Sequence, residues 1–279
     1  MATAGESSKA PIPPSIDSSP PDDPPTIPSA STLFRPSQFL DRLVKWLSTL
    51  IGTDQLIMLL QYTLEIITHH MDSNTPFKLM VLLNKYILFF SHPHVKPSPV
   101  PSPLSVRLKS LCLKLADTRI LLRLHGIIPT YQWFLATHYA PPSDPTLATV
   151  AKLQTYANLC YFPLENAAYL GMHGILPMSK RTETDLWVWS SRFWAAHVAL
   201  EFVRLWREQV IAARGKGKEK VEEREAWDKN WWGSLIMNLA YAPQTLHWSV
   251  EGGVFSDIHV AYCGVVAALA SIYLGFPAS

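Results

Sequence analysis

Apolar residues recur every three or four positions along most of the chain after residue 37, a helical rhythm. Pro36-Ser37 opens the first such segment, with Phe39, Leu40, Leu43, Val44, Leu47 and Leu50 on one face, and Gly52 is expected to end it. Thr53 can cap a second helix carrying Leu56, Ile57, Leu60, Leu64 and Ile67. Thr75-Pro76 predicts a third, over residues 77–90, with proline at its favoured first position. No strand-like alternation bounded by turns interrupts these segments, so the pattern predicts an all-α chain. Residues 92–103 are a proline-broken linker.

The helix predicted over residues 104–125 decides the rest. Leu104, Leu108, Leu111, Leu115, Thr118 and Leu122 step by fours and threes and share one face. Arg107 and Lys114 flank that face on one side, Arg119 and Arg123 on the other, and Lys109 adds charge; Asp117 is the lone acid. An apolar stripe with basic margins suits an anionic membrane surface, because long basic stems reach the headgroups while the apolar side chains enter the acyl boundary. The membrane-binding set expected from this pattern is Arg107, Leu108, Lys109, Leu111, Lys114, Leu115, Arg119, Leu122 and Arg123. Val106, Leu113, Ile120 and Leu124 form a second apolar stripe on the far side. A helix bound to lipid on one face and to protein on the other has this pattern, and so does a buried helix.

Further on, Pro141-Pro142 and Pro145 mark a loop before a long helical segment, residues 147–176. Its part from Thr155 to Met178 has the length of a span, but Pro163 and Glu165 near its centre are costly in lipid. A re-entrant, interfacial or protein-packed helix fits it equally. The next helix, residues 183–209, carries Arg192, Glu201, Arg204, Arg207 and Glu208 and cannot span. Residues 210–229 are expected to be a charged, solvated loop. Residues 231–276 then read as a C-terminal membrane hairpin or span. Trp231 to Val250 carries no formal charge, Glu251-Gly252-Gly253 reads as a turn, and Ile258 to Phe276 has the clearest transmembrane pattern. Gly264, Ala268, Ser271 and Gly275 place small residues at helical spacing and are the expected self-association face.

Composition sharpens this picture. Charged residues make up 16% of the 279, below a soluble domain's usual share of about 25%. The mean hydropathy is +0.08 despite a polar N-terminus. Ten tryptophans fit an interfacial belt. A membrane protein is favoured over a soluble one with a buried helical hairpin. The net charge of +2 excludes the broad basic field of a nucleic-acid binder. Residues 1–36, rich in Pro, Ser, Asp and Thr, are expected to be a disordered tail. Cys112, Cys160 and Cys263 are odd in number and widely spaced, which fits reduced thiols. His69-His70 and His92-x-His94 lack a third ligand at a usual spacing, so no metal is expected. No GxSxG, HExxH, GxxxxGK[ST] or GxGxxG occurs. His247 with Glu251 and Asp257 with His259 are read as turn and cap residues. The chain is therefore expected to be no enzyme and to need no cofactor.

Residues 121–128, Leu-Leu-Arg-Leu-His-Gly-Ile-Ile, resemble the arginine-leucine-rich segment of the peroxisomal biogenesis factor eleven family, the peroxisome membrane-proliferation proteins. Residues 54–56 and 60–64 resemble its early block, residues 164–170 its middle block, and residues 246–249 followed by Ser256-Asp257 its pre-terminal block. The likeness runs from about Ser37 to Phe276 and is nearest a fungal branch. It implies a membrane-associated helical bundle of the peroxisomal membrane, residues 37–279, with amphipathic helices and a C-terminal transmembrane helix or hairpin. It further implies elongation of the organelle by helix insertion into an anionic phospholipid membrane, homo-oligomerisation, and promotion of proliferation and fission. The implied partners are dynamin-type fission machinery and peroxisomal membrane-protein import factors, with no nucleic acid. A small-metabolite channel, lined by Thr155–Met178 and Trp231–Val250 with Glu165, is the alternative.

Overall fold

The structure, a computed structural model, describes residues 38–73, 103–215 and 221–276. Within them the chain is helical and no strand occurs. The helices are α1 (Gln38–Leu47), α2 (Leu50–Ser73), α3 (Pro103–Leu122), α4 (Ile127–Tyr139), α5 (Pro145–Met172), α6 (Lys180–Gly215), α7 (Val221–Trp248) and α8 (Asp257–Gly275). The helix expected over residues 77–90, the His92-x-His94 pair and the N-terminal tail lie outside the described residues.

Local chemistry sets most boundaries. Asp144 caps α5: its Oδ1 accepts from the N–H groups of Thr146 and Leu147, both at 3.1 Å, and Pro145 takes the first helical position. Between α7 and α8 the chain reverses through Gly252 (φ 83°) and Gly253 (φ 73°), a left-handed pair that side chains rarely tolerate. His247 Nδ1 accepts from the N–H groups of Val254 and Phe255 and holds this turn. Glu251 pairs with Arg181 instead.

Three expectations change. The first break falls at Ser48-Thr49, and Gly52 lies inside α2, where Thr49 Oγ1 accepts from its N–H at 3.0 Å. The helix after the linker stops at Leu122, and residues 123–126 turn into α4. Residues 210–229 are not a loop throughout, because α6 runs to Gly215 and α7 starts at Val221. Opposite charges one turn apart suit a helix there: Arg224 pairs with Asp228 at 3.3 Å, and Trp227 stacks on Trp231.

The helices pack as a chain of neighbours. α4 lies on α5, α5 on α6, α6 on α7, α7 on α8, α8 on α2, and α2 on both α1 and α3. Met58 and Tyr62 of α2, Ala240 of α7, and Ala261, Ala267 and Ala268 of α8 form a buried core cluster. α5 and α6 are joined by Gln154 to Glu201 (2.7 Å) and by a bidentate Arg207–Asp144 pair. Trp231 Nε1 donates to Leu205 O and joins α7 to α6.

The interior of this bundle is mixed, with buried polar side chains beside the apolar core. The largest fully buried side chains are Leu205, Gln154, Gln244, Thr155 and Thr245. Large apolar residues such as Ile51, Leu60, Leu113, Leu239, Leu269 and Tyr273 lie on the outside. Buried polar groups and wide exposed apolar surface are both uncommon in soluble domains.

Two tests follow. The Arg207 guanidinium, aided by the α5 N-terminal amides, pulls the Asp144 carboxyl from its ordinary 3.8 to about 2. A depressed carboxyl stabilises the fold above its unfolded value and loses that contribution as pH falls from near 4 to near 2. Asp144→Asn is expected to lower stability at pH 7 and to flatten the acid-unfolding slope in that window, measured by circular dichroism in detergent. On α8, a Cβ at Gly264 would lie 2.3 Å from the Tyr62 ring, whereas at Gly275 its nearest neighbour is the Gln55 amide at 3.3 Å. Gly264→Ala should cost about 1–3 kcal/mol by overpacking, and Gly275→Ala should be close to neutral, compared by thermal unfolding.

Candidate functional site: a polar chamber and the outward face of α3

α3 meets α2 through Ser105, Cys112 and Arg119, which are buried and seven residues apart. Leu108, Leu115 and Leu122 flank this line and are half-buried. The opposite side carries Leu104, Val106, Leu111, Leu113 and Leu121, all exposed, with Arg107 and Lys114 among them. Asp117, the helix's lone acid, is paired with His173 of α5 at 2.9 Å. The outward face is therefore apolar and basic, without an unpaired acid.

Of the nine residues expected to bind membrane, Arg107, Leu111 and Lys114 lie outward, and Lys109 is exposed on the flank toward Glu65 of α2. Leu108, Leu115 and Leu122 flank the packed line. Arg119 and Arg123 point inward, which departs from the basic margin expected of them. Arg119 Nε donates to Asp54 Oδ1 at 3.0 Å, its Nη1 donates to Gln61 Oε1 at 3.1 Å, and its guanidinium lies over the Tyr62 ring. Arg123 Nη2 reaches Glu165 Oε1 at 3.3 Å. Tyr161 donates to the same Glu165 oxygen. Burial works against the charge on Arg123, but Tyr161 and Glu165 outweigh it and raise its pKa. Burial, ahead of the neighbouring charges, pushes the Tyr161 hydroxyl far up, so it stays a donor.

These pairs line a central chamber of about 370 Å³ between α2, α3, α5, α6 and α7. Asp54, Gln61, Arg119, Arg123 and Glu165 supply its polar wall. Trp187 and Trp194 of α6, with Tyr241 and Trp248 of α7, supply an aromatic wall in which Trp194 stacks on Trp248. Pro163 and Pro243 interrupt the hydrogen bonding of α5 and α7 beside Tyr161 and Tyr241. The sequence signal for this cluster was Glu165, the lone acid of α5, because an acid in an apolar helix calls for a basic partner.

The small residues of α8 are used within the chain. Gly264 abuts Tyr62, Ala268 belongs to the core cluster, and Ser271 Oγ contacts Met237 Sδ of α7 at 3.2 Å and donates to Ala267 O. Gly275 lies near Gln55 and Trp46. The outer side of the α7–α8 seam instead forms a groove of about 630 Å³ in which Trp232, Ile236, Val266, Leu269 and Tyr273 are apolar and Glu225, Asp228 and Lys229 are charged. Two helices are long and apolar enough to cross a membrane, Leu50–Asp72 and Asp257–Gly275. Among the described residues no group of three or more metal-ligating side chains occurs. His70 Nε2 lies 2.9 Å from the Tyr262 hydroxyl.

Glu165→Leu should leave the Arg123 charge without its acid. Breaking a buried pair costs about 3–5 kcal/mol, and the low end applies because Arg123 keeps 33% side-chain exposure. Glu165→Leu combined with Arg123→Met should recover most of that loss in chemical unfolding.

Comparison with known proteins agrees with the resemblance in the chain's own blocks. An uncharacterized protein of Schizosaccharomyces pombe is 30% identical over 174 residues, which is 62% of this chain and 76% of that protein. No solved structure matches the chain. Residues 83–274, from before α3 nearly to the end of α8, match the family described as Peroxisomal biogenesis factor 11 (PEX11). The block at residues 54–64 precedes that match and carries Asp54 and Gln61, partners of Arg119. With most of its length matched, this chain belongs to the peroxisomal biogenesis factor 11 family and is a peroxisome biogenesis protein.

Proposed function

We propose that this protein resides in the peroxisomal membrane and elongates it by seating the outward face of α3 in the cytosolic leaflet. The apolar outer surface over a partly polar interior carries this reading. Polar side chains such as Gln154, Thr155 and Gln244 are fully buried, while apolar side chains cover the outside. That arrangement is costly in water and favourable in lipid, where interior polar groups bond one another and apolar surfaces meet acyl chains. α2 and α8, packed together, are the spanning elements of this reading.

The wedge is the outward half of α3. Leu104, Val106, Leu111, Leu113 and Leu121 supply apolar depth, and Arg107, Lys109 and Lys114 reach headgroup phosphates. Inserting such a face into one leaflet expands it relative to the other and favours curvature. Self-association concentrates these wedges, and the exposed α7–α8 groove is the better contact because the Gly264 face is already covered. Recruitment of dynamin-type fission machinery and delivery by membrane-protein import factors belong to the same reading.

The test is charge reversal in the full chain, with Arg107, Lys109 and Lys114 all changed to Glu. Each basic residue beside an anionic surface is worth about 1 kcal/mol, so three reversals should shift the surface equilibrium by several. The variant should fold and reach peroxisomes, yet fail to elongate them when it is the only copy in the cell. The wild-type protein in anionic liposomes should tubulate them less as salt rises, because exposed charge is screened beyond about 8 Å at physiological ionic strength. Normal tubules from the triple variant would overturn the wedge. Reversing Arg119 and Arg123 instead should unfold the bundle, since both face buried acids.

A further inference from the structure

The groove on the outer side of the α7–α8 seam changes character along its length. Its α7 wall begins with Glu225, Asp228 and Lys229 and continues as Trp232 and Ile236. Val266, Leu269 and Tyr273 form the α8 wall. Lys229 Nζ lies 4.9 Å from the centre of the Tyr273 ring, so the charged end of the groove is the end where α8 finishes, at Gly275. Farther in, the lining is apolar, and Ile236, Val266 and Leu269 are each about half exposed. From Glu225 to Ile236 the groove extends about 16 Å along α7, at ~1.5 Å per residue. Half of a bilayer's hydrocarbon core is about 15 Å thick. α8 is long and apolar enough to cross a membrane, which puts its C-terminal end at one membrane–water boundary. Trp232 and Tyr273, beside that end, suit the boundary. The groove therefore has a charged mouth at headgroup level and an apolar floor one leaflet deep, the proportions of a single phospholipid.

The mouth also narrows the headgroup. Arg224 pairs with Asp228 at 3.3 Å, which leaves one acid, Glu225, and one base, Lys229, to meet a ligand. A headgroup of net negative charge would bring no cation to Glu225, and a quaternary ammonium has no N–H to donate to it. We infer that the groove binds a zwitterionic phospholipid whose headgroup ends in a primary ammonium. The ammonium donates to the Glu225 carboxylate, a phosphate oxygen accepts from Lys229 Nζ, and an acyl chain lies along Ile236, Val266 and Leu269. The site rests on the membrane residence proposed above and uses none of the α3 face. A second copy seated in the same groove has to displace the lipid, so lipid and partner copy compete there.

The test is native mass spectrometry of the full chain in detergent micelles, titrated with palmitoyl-oleoyl phosphatidylethanolamine, phosphatidylcholine or phosphatidylglycerol. The monomer is expected to retain one phosphatidylethanolamine about threefold to fivefold more tightly than either other lipid. Glu225→Gln should erase the preference over phosphatidylcholine and leave the helical circular dichroism unchanged, because Glu225 is exposed. Leu269→Trp, also at an exposed position, fills the floor and should abolish the retained lipid. Glu225→Gln decides alone if Leu269→Trp does not fold. Equal retention of the three lipids, a preference that survives Glu225→Gln, or a lipid still retained by folded Leu269→Trp would each overturn the site. Flotation of the wild-type chain with liposomes of the same lipids separates the site from the reading beneath it. A chain that floats but shows no preference overturns the site alone, and one that does not float overturns both.

Discussion

The bundle depends on the two arginines that α3 turns inward. A guanidinium removed from water is tolerable only with an acid and hydrogen bonds around it. Arg119 finds these on α2, in Asp54 and Gln61, and Arg123 finds them on α5, in Glu165. Arg119 lies in the last turn of α3 and Arg123 just past its end, and they bind different neighbours. α3 is thereby fixed in both rotation and height. A quarter turn would strand both charges, and a shift along the axis would separate one of them. The rotation that satisfies the arginines also sends Arg107 and Lys114 outward with Leu113 and Val106. The interior pairs therefore decide what the surface presents.

Much of the fold was legible in the sequence, because helix punctuation is local. Asp144-Pro145, Gly252-Gly253 and Thr49 act where they stand. The orientation of α3 was not legible in this way. Its two apolar stripes are nearly equal, and periodicity alone does not say which of them meets protein. The deciding partners are 65 residues away for Arg119 and 42 for Arg123. Glu165, the lone acid of α5, was the available signal. The small-residue face of α8 shows the same limit. Spacing showed that something packs closely on Gly264, but not that Tyr62 of the same chain does so.

The chamber results from the same economy of charge. Helices brought together around ion pairs leave space between side chains that do not tile like aliphatic ones. Pro163 and Pro243, each two residues after a tyrosine of the chamber lining, remove a backbone hydrogen bond from α5 and α7. The aromatic cluster of Trp194, Trp248 and Tyr241 closes the opposite wall. Polar groups and indoles therefore meet in the middle of the bundle, and many aliphatic side chains lie on its outer surface.

The α2–α8 contact also has a consequence for synthesis. His70 and Tyr262 touch across 192 positions, and Tyr62 meets Gly264 beside them. Translation proceeds at about 5–20 residues per second. The apolar surface of α2 thus leaves the ribosome roughly 10–40 s before the helix that covers it. Through that interval it needs another cover, either a holding chaperone or the bilayer itself. Because α2 and α8 cover each other, this part of the core closes only once α8 has emerged. The core cluster shared by α2, α7 and α8 is accordingly among the last parts of the described fold to close.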